Sequence, residues 1–400
     1  GAVDTLSAME VSTLAEVVQS PLDVHHAADV AGDVAANVAA DVAAAPVDSW
    51  TTDASEGSDA AAVVSDVAAG VDSKPSPDVT GALSDVQAAG PGSDAGASTS
   101  LDQILRINHI QAKGTHNSYH LSSTASSFVP EWKFDQPPLD EQLDKHGVRQ
   151  VELDVHYTGN GEFDVFHVPT IDAKSNCPTL RACLKLMKAW SDKHIKHHLL
   201  SILIEPKDDL DTKKIKGHYD ELDAAILEVW PKDRVMRPDD VRGAHSTLRK
   251  ALEADGWPTI AATRGKAMFL MLDEGGHRKA YLEGHPTLEK RVLFVRGGST
   301  EPWAAAVELN DPVGSKTSIE MAAKSGFLVR SDADDAKKSK SDNFAKAKAA
   351  LLTGAHHISS DFPVAPKGNS YGFVLSGGKP SRCNPVTAPP SCTSEAIESL

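Results

Sequence analysis

From residue 101 onward, short apolar runs alternate with longer amphipathic stretches, and this alternation limits the possible folds more than any other feature of the chain. Strand-like runs fall at 107–114, 148–157, 163–168, 199–205, 267–272, 292–295, 305–309, 327–330 and 357–361. Between them, apolar residues recur at helical spacing over 179–194 (Leu180, Cys183, Leu184, Met187, Trp190) and 212–229, with further candidates at 246–255, 277–289, 317–325 and 343–353. Strands separated by helices build a parallel sheet. Ile202-Leu203-Ile204 and Met268-Phe269-Leu270-Met271-Leu272 are continuously apolar, as strands buried on both faces should be. About eight such units predict a (β/α)8 TIM-type barrel, which typically takes about 250 residues. An open doubly wound sheet is the alternative, weakened because no Gly-x-Gly-x-x-Gly turn follows any strand. Pro206, which has no N–H for a ladder, is expected to stop the fourth run.

Residues 1–100 stand outside this pattern. They hold 16 acidic residues against Lys74 alone, so −15 of the chain's formal −16 lies there. Trp50 is their one aromatic, and Asp-Val-Ala recurs at 29–31, 33–35, 41–43 and 66–68. So little large apolar surface cannot offset the entropy of ordering. The segment reads as a low-complexity, disordered acidic tether, with marginal Ala-rich helices as the alternative. The domain from 101 to 400 is nearly neutral, which argues against a nucleic-acid partner. Its tail, from about 363, is rich in Pro, Gly and Ser and is expected to wrap the surface. No run is long enough to span a bilayer, and no signal peptide is visible. Cys177/Cys183 and Cys383/Cys392 match no metal or redox spacing. Two short-range disulfides in a secreted or surface-tethered protein are the preferred reading, and four free thiols the other.

In a parallel barrel the functional groups sit at the carboxyl ends of strands. Those ends present His116 and Asn117, then Glu152 and Asp154, then His167, then Glu205; later tips carry Asp273, Glu274, Glu308, Arg330, Asp332 and Asp361. Glu152 and Asp154 are two apart on one strand, so they point the same way with backbones about 6.6 Å apart. Two inward carboxylates are costly without a cation. With Asn117 and Glu205 the donors are all oxygens, which suits Ca²⁺ or Mg²⁺ rather than Zn²⁺. His116 and Asn117 are neighbours, so both face one site only if the strand has ended there, and Gly114 makes that plausible. Lys207 and Arg330 are candidates for substrate contacts, or else ordinary salt-bridge partners at the barrel mouth. His156 shares the Glu152 face and is a weaker candidate. Many of the 17 histidines, His25, His26, His194, His197 and His198 among them, read as surface or tail residues.

Gly114-Thr115-His116-Asn117-Ser118-Tyr119, Val151-Glu152-Leu153-Asp154-Val155, Val165-Phe166-His167-Val168-Pro169 and Leu203-Ile204-Glu205-Pro206-Lys207 together resemble the catalytic region of phosphoinositide-specific phospholipases C, above all the bacterial Ca²⁺-dependent branch. Cys177-Pro178-Thr179-Leu180-Arg181-Ala182-Cys183-Leu184, the run 326–334 and Ser359-Ser360-Asp361-Phe362-Pro363 extend the likeness over roughly 104–365. The resemblance implies a TIM-type barrel that cleaves a phosphoinositide lipid at a membrane surface. It implies Ca²⁺ held by Asn117, Glu152, Asp154 and Glu205, with His116 and His167 flanking the phosphate. In that chemistry the inositol 2-hydroxyl attacks phosphorus, Glu152 or Glu205 takes its proton, His167 protonates the departing glycerol oxygen and His116 stabilises the phosphate. A monomer is expected. The enzyme rival is a glycerophosphodiester phosphodiesterase. That family typically has His-Arg where this chain has His116-Asn117, and His-Asp where this chain has His167-Val168. A non-catalytic lipid- or sugar-binding surface protein is the other rival, but a binder has no need of a general acid.

Overall fold

The structure, a computed structural model, describes residues 100–124, 128–208, 213–273 and 275–398, so the acidic segment at 1–99 and Glu274 lie outside the described residues. The described residues form ten strands: β1 (Ile110–Lys113), β2 (Gln150–Gly159), β3 (Glu162–Val165), β4 (Leu200–Lys207), β5 (Ala267–Met271), β6 (Leu293–Val295), β7 (Ala306–Glu308), β8 (Leu328–Asp332), β9 (His357–Ser359) and β10 (Ser381–Cys383). One ladder runs β2-β4-β5-β6 and another β7-β8-β9-β1, all parallel. Single parallel bridges, Gly114 to Gln150 and Arg296 to Ala306, join the two ladders into a closed eight-stranded TIM-type barrel. Gln150 fastens the first seam with its side chain, donating to Thr115 O and accepting from Ser359 Oγ.

Helices cover the outside where apolar spacing predicts them. Leu180–Lys193 starts at Thr179, whose hydroxyl accepts from Ala182 N–H, and buries Leu180, Cys183, Leu184, Met187 and Trp190. Tyr219–Val229, Gly276–Leu282, Lys316–Lys324 and Lys340–Thr353 follow β4, β5, β7 and β8. Residues 296–305, between β6 and β7, form no helix.

Several expectations need correction. The third run is not a barrel strand: β3 pairs antiparallel with β2, Tyr157 opposite Phe163. The turn at Gly159, Asn160 and Gly161, all at positive φ, is far too short for a parallel crossover. Pro206 does not end β4, which runs on to Lys207. β5 has already finished beside Ile204, so at Pro206 only the β2 side of the ladder remains and the missing N–H costs little. The tail does more than wrap the surface. β10 adds antiparallel to β1, and Ile397 packs with Leu105, Ile110 and Ile260. Glu398 pairs with the fully buried guanidinium of Arg149. Both expected disulfides, Cys177–Cys183 and Cys383–Cys392, are formed. No helix of the described residues is long and apolar enough to cross a membrane.

His197 and His198 are buried rather than exposed, because they sit in the link that feeds β4 at the amino end of the barrel. His356 and His357 are buried at the start of β9, where His357 Nε2 meets Ser201 Oγ at 2.8 Å. Burial pulls His197 and His198 down to about 4 and His356 and His357 down to about 3. The folded protein keeps all four neutral, whereas an unfolded histidine takes a proton near pH 6.5. Their stabilisation is therefore complete above that pH and is lost as pH falls from there toward 4, by about 1.4 kcal/mol per histidine per pH unit. The urea midpoint should drop steeply between pH 7 and 5, and substituting His356 by Gln should flatten the dependence. A midpoint constant over that range would show that these imidazoles are not held neutral.

Candidate active site

β1 ends at Lys113, and the residues that follow build one wall of the site. Gly114 N–H donates to Ile358 O, Thr115 N–H to Gln150 O and His116 N–H to Ser360 O, so the chain stays strapped between β9 and β2. Glycine is required at 114 because a Cβ would sit 1.9 Å from Gln150 Oε1. The turn itself comes at Asn117, at φ 42°, a left-handed conformation that asparagine tolerates better than most residues. Ser118 N–H then donates to Glu152 O.

The carboxylates follow from register. β2 and β4 pair Glu152 with Leu203 and Asp154 with Glu205, so all three acids share the inner face. One oxygen from each lies within 4.8 Å of the others. Tyr119, fully buried, donates to Asn117 Oδ1 at 3.2 Å. Burial, with Asp154, Glu205 and Glu152 nearby, holds the Tyr119 proton well above the ordinary tyrosine range, which sets Asn117 beside the acidic group.

Two cations answer these charges. Lys207 Nζ hydrogen-bonds Glu205 Oε1 and lies 3.2 Å from Asp154 Oδ2, and these two acids hold its proton tightly against the effect of burial. Arg330 is engaged through both terminal nitrogens. Nη2 donates to Glu152 Oε2 at 3.0 Å, and Nη1 meets Glu308 Oε1, Asn310 Oδ1 and Asp332 Oδ1. Its side chain is 3% exposed, so it stands behind Glu152 rather than at the mouth. Burial lifts Glu152 to about 7 despite Arg330 and His116, and lifts Glu205 as well, with Asp154 adding to the effect.

His116 is 40% exposed and stands between two acids, Nδ1 2.7 Å from Asp361 Oδ1 and Nε2 3.7 Å from Glu152 Oε1. Partial burial works against its charge, but Glu152 and Asp361 prevail and push it up to about 10. It is therefore an imidazolium at neutral pH. His167 follows β3 in a loop, with Nδ1 2.9 Å from Asp172 Oδ2 and its ring edge-on to Trp132 at 5.3 Å. Burial opposes the Asp172 charge, yet His120 and His167 together hold that carboxyl down to about 2. Gln136 ties the two halves together, its N–H donating to His120 O and its Nε2 to His116 O. His156 is turned aside, stacked on Phe166 at 3.8 Å and bonded to Phe166 O.

The model of the family described as phosphoinositide phospholipase C, Ca²⁺-dependent, matches residues 105–163 and 158–385. The chain belongs to that family. This phospholipase C is thus an enzyme and not a non-catalytic binder. A calcium-dependent phosphoinositol-specific phospholipase C from a Gram-negative bacterium, Pseudomonas sp., has a similar fold, with TM-score 0.52 and 18% identity over 70% of this chain and 96% of that one. Its myo-inositol complex matches 71% of this chain at the same TM-score. A Ca²⁺-dependent phosphatidylinositol-specific phospholipase C from Streptomyces antibioticus gives 0.49 at 18% identity, covering 65% and 95%. No curated protein matches the chain.

The phospholipase's acidic group fits the family's cation. Three carboxylates and an amide give an all-oxygen set with room for water and substrate in a shell of about 6–8 ligands. Asp154 is fully buried, and its oxygens make no well-formed hydrogen bond among the described residues beyond the Lys207 ammonium, 3.2 Å from Oδ2. Oxygens left this way are what a hard divalent ion requires. The sequence reading missed Asp361, Asp172, His120 and Tyr119 as working partners. Asp361 is visible as a strand-end acid; nothing in the local pattern marks Asp172 or His120.

Proposed function

We propose that this phospholipase C cleaves phosphatidylinositol to diacylglycerol and inositol cyclic phosphate, by attack of the inositol 2-hydroxyl on phosphorus. The observation that carries the proposal is one cluster of three carboxylates, with Asn117 beside it, flanked by two His–Asp pairs at the carboxyl end of the barrel. Ca²⁺ supplies Lewis-acid stabilisation of the charge that develops on the phosphate and the attacking oxygen. Asn117, Glu152, Asp154 and Glu205 are the residues that hold it.

Glu152 takes the hydroxyl proton, its carboxylate oriented by the Arg330 hydrogen bond to Oε2. The new oxygen–phosphorus bond forms as the bond to the glycerol oxygen breaks, and His167 Nε2 delivers a proton to that oxygen. His116, held cationic by Glu152 and Asp361, balances the phosphate charge. Lys207 is the remaining candidate for a phosphate or inositol contact, since Arg330 is buried with both terminal nitrogens bonded to Glu152, Glu308, Asn310 and Asp332. Two disulfides support an exported enzyme working on a lipid surface, and we read it as a monomer.

Phosphatidylinositol vesicles with Ca²⁺ test the reaction. Phosphorus NMR should show the cyclic ester first and the linear monophosphate only later. A linear monophosphate as the first product would mean that water is the nucleophile. Glycerophosphoinositol should turn over more slowly than the lipid; the reverse order would favour the glycerophosphodiester reaction.

A further inference from the structure

β8 and β9 pair with Asp332 opposite Ser359, and the ladder runs one step further, Ala333 N–H donating to Ser359 O at 2.7 Å. Register therefore sets Asp334 beside Ser360 and Asp361, just past the strand tips. Asp334 Oδ1 accepts the backbone N–H of Asp361 at 2.7 Å. Its Oδ2 accepts the hydroxyls of Ser360 and of Tyr371, the latter at 2.9 Å. Two residues on, Ala336 N–H reaches Asp361 Oδ2 at 3.3 Å. The segment 334–336 thus grips Asp361 by its backbone and by its side chain, while Asp361 Oδ1 meets His116 Nδ1 at 2.7 Å. Ser360 O takes the His116 N–H at 3.1 Å, so the same stretch also holds the histidine's backbone.

Asp334, Ser360 and Tyr371 are all buried, so any effect they have on the reaction passes through the residues they hold. Tyr371 enters from the tail and lies 1% exposed, with the rings of Phe344 and Phe362 edge-on to it at 5.0 and 6.2 Å. A second tail contact, Phe373 N–H to Phe362 O at 2.8 Å, fixes the chain just beyond Asp361. The ring contacts anchor the tail. The hydroxyl bond adds direction, since it fixes the plane of the Asp334 carboxyl group and with it the peptide that leads into Asp361.

We propose that Asp334 is a positioning residue for this phospholipase, which together with the tail hydroxyl of Tyr371 sets the angle at which Asp361 presents its side chain to His116. The inference rests on the reading of His116 as the group that meets the phosphate. A hydrogen bond of 2.7 Å is directional, and a small misplacement of a ring that faces the reacting group costs rate more than binding. The tail is then part of the working machinery and not only a cover for the barrel.

A double-mutant cycle tests this. Tyr371→Phe removes one oxygen and keeps the ring beside Phe344 and Phe362. It should lower kcat on phosphatidylinositol vesicles with Ca²⁺ about tenfold, with KM little changed. In a His116→Ala background the same change should cost less than about twofold, because the imidazole that Asp361 orients is already gone. An equal loss in both backgrounds would mean that Tyr371 only supports the fold, and the proposal fails. Asp334→Asn keeps an oxygen for the Asp361 N–H but cannot receive both hydroxyls as the carboxyl group does. It should show the same dependence on His116, and it carries the test if Tyr371→Phe does not fold. Glu398→Gln is the control, since Glu398 is a tail contact to Arg149 at the amino end of the barrel. It should lower the urea midpoint and leave kcat unchanged. If it lowers kcat as much as Tyr371→Phe does, the tail's general hold explains the effect and the proposal is overturned. A His116→Ala enzyme with full activity would instead remove the reading of His116 on which the proposal stands.

Discussion

Replacing His167 with alanine lowers kcat on phosphatidylinositol about 10²- to 10⁴-fold, with KM changed only slightly. The size follows from the leaving group. Glycerol departs as an alkoxide unless it is protonated, and among the described residues His167 offers a ring nitrogen that is not already hydrogen-bonded, since only its Nδ1 is taken, by Asp172. His116 cannot share the task, because Glu152 and Asp361 keep it charged and reluctant to give up a proton. The discriminating experiment changes the leaving group. With an aryl ester of inositol phosphate, whose phenolate leaves unaided, the His167→Ala defect should shrink to a few-fold, while His116→Ala remains impaired on both substrates. Equal defects of His167→Ala on both esters would remove it as the acid.

Chelation should abolish activity, and Ca²⁺ should restore it better than Mg²⁺, because Mg²⁺ demands a compact octahedron and gives up its water reluctantly. Asp154→Asn should lose this response altogether. Asp154 is the sharper probe because it is fully buried and its one charged partner is Lys207, 3.2 Å from Oδ2. The metal-free protein holds Glu152, Asp154 and Glu205 together at a cost that Lys207 and Arg330 meet only in part. The variant should therefore melt higher than the parent without metal, yet gain nothing when Ca²⁺ is added. The parent should gain about 2.7 kcal/mol at a Ca²⁺ concentration near 100 times Kd. A variant still stabilised by Ca²⁺ would show that the metal sits elsewhere.

His116, Asn117 and Glu205 were legible in the sequence because each sits at or near a strand end, and Glu152 and Asp154 because the β2 alternation puts two acids on one face. His167 was found for a partly mistaken reason. It comes after a hairpin strand, not a barrel strand, and the turn at Asn160-Gly161 carried that information. Arg330 was read as a possible substrate contact because its strand position is right. Its burial among Glu152, Glu308, Asn310 and Asp332 fits the other reading, a salt-bridge partner, set beneath the mouth rather than at it.

The order of strands and helices, the β2 alternation and the all-oxygen donor set were fixed by the chain alone, since period and residue type depend only on neighbours a few positions away. The His116–Asp361 and His167–Asp172–His120 pairings and the buried histidines at the amino end were decided by the tertiary structure. His116 and Asp361 are 245 residues apart, and His120 and Asp172 are 52 apart. Closing the barrel brings β9 against β1 and the loop after β3 over the loop after β1, and only that closure sets which acid faces which imidazole and how much water remains around them.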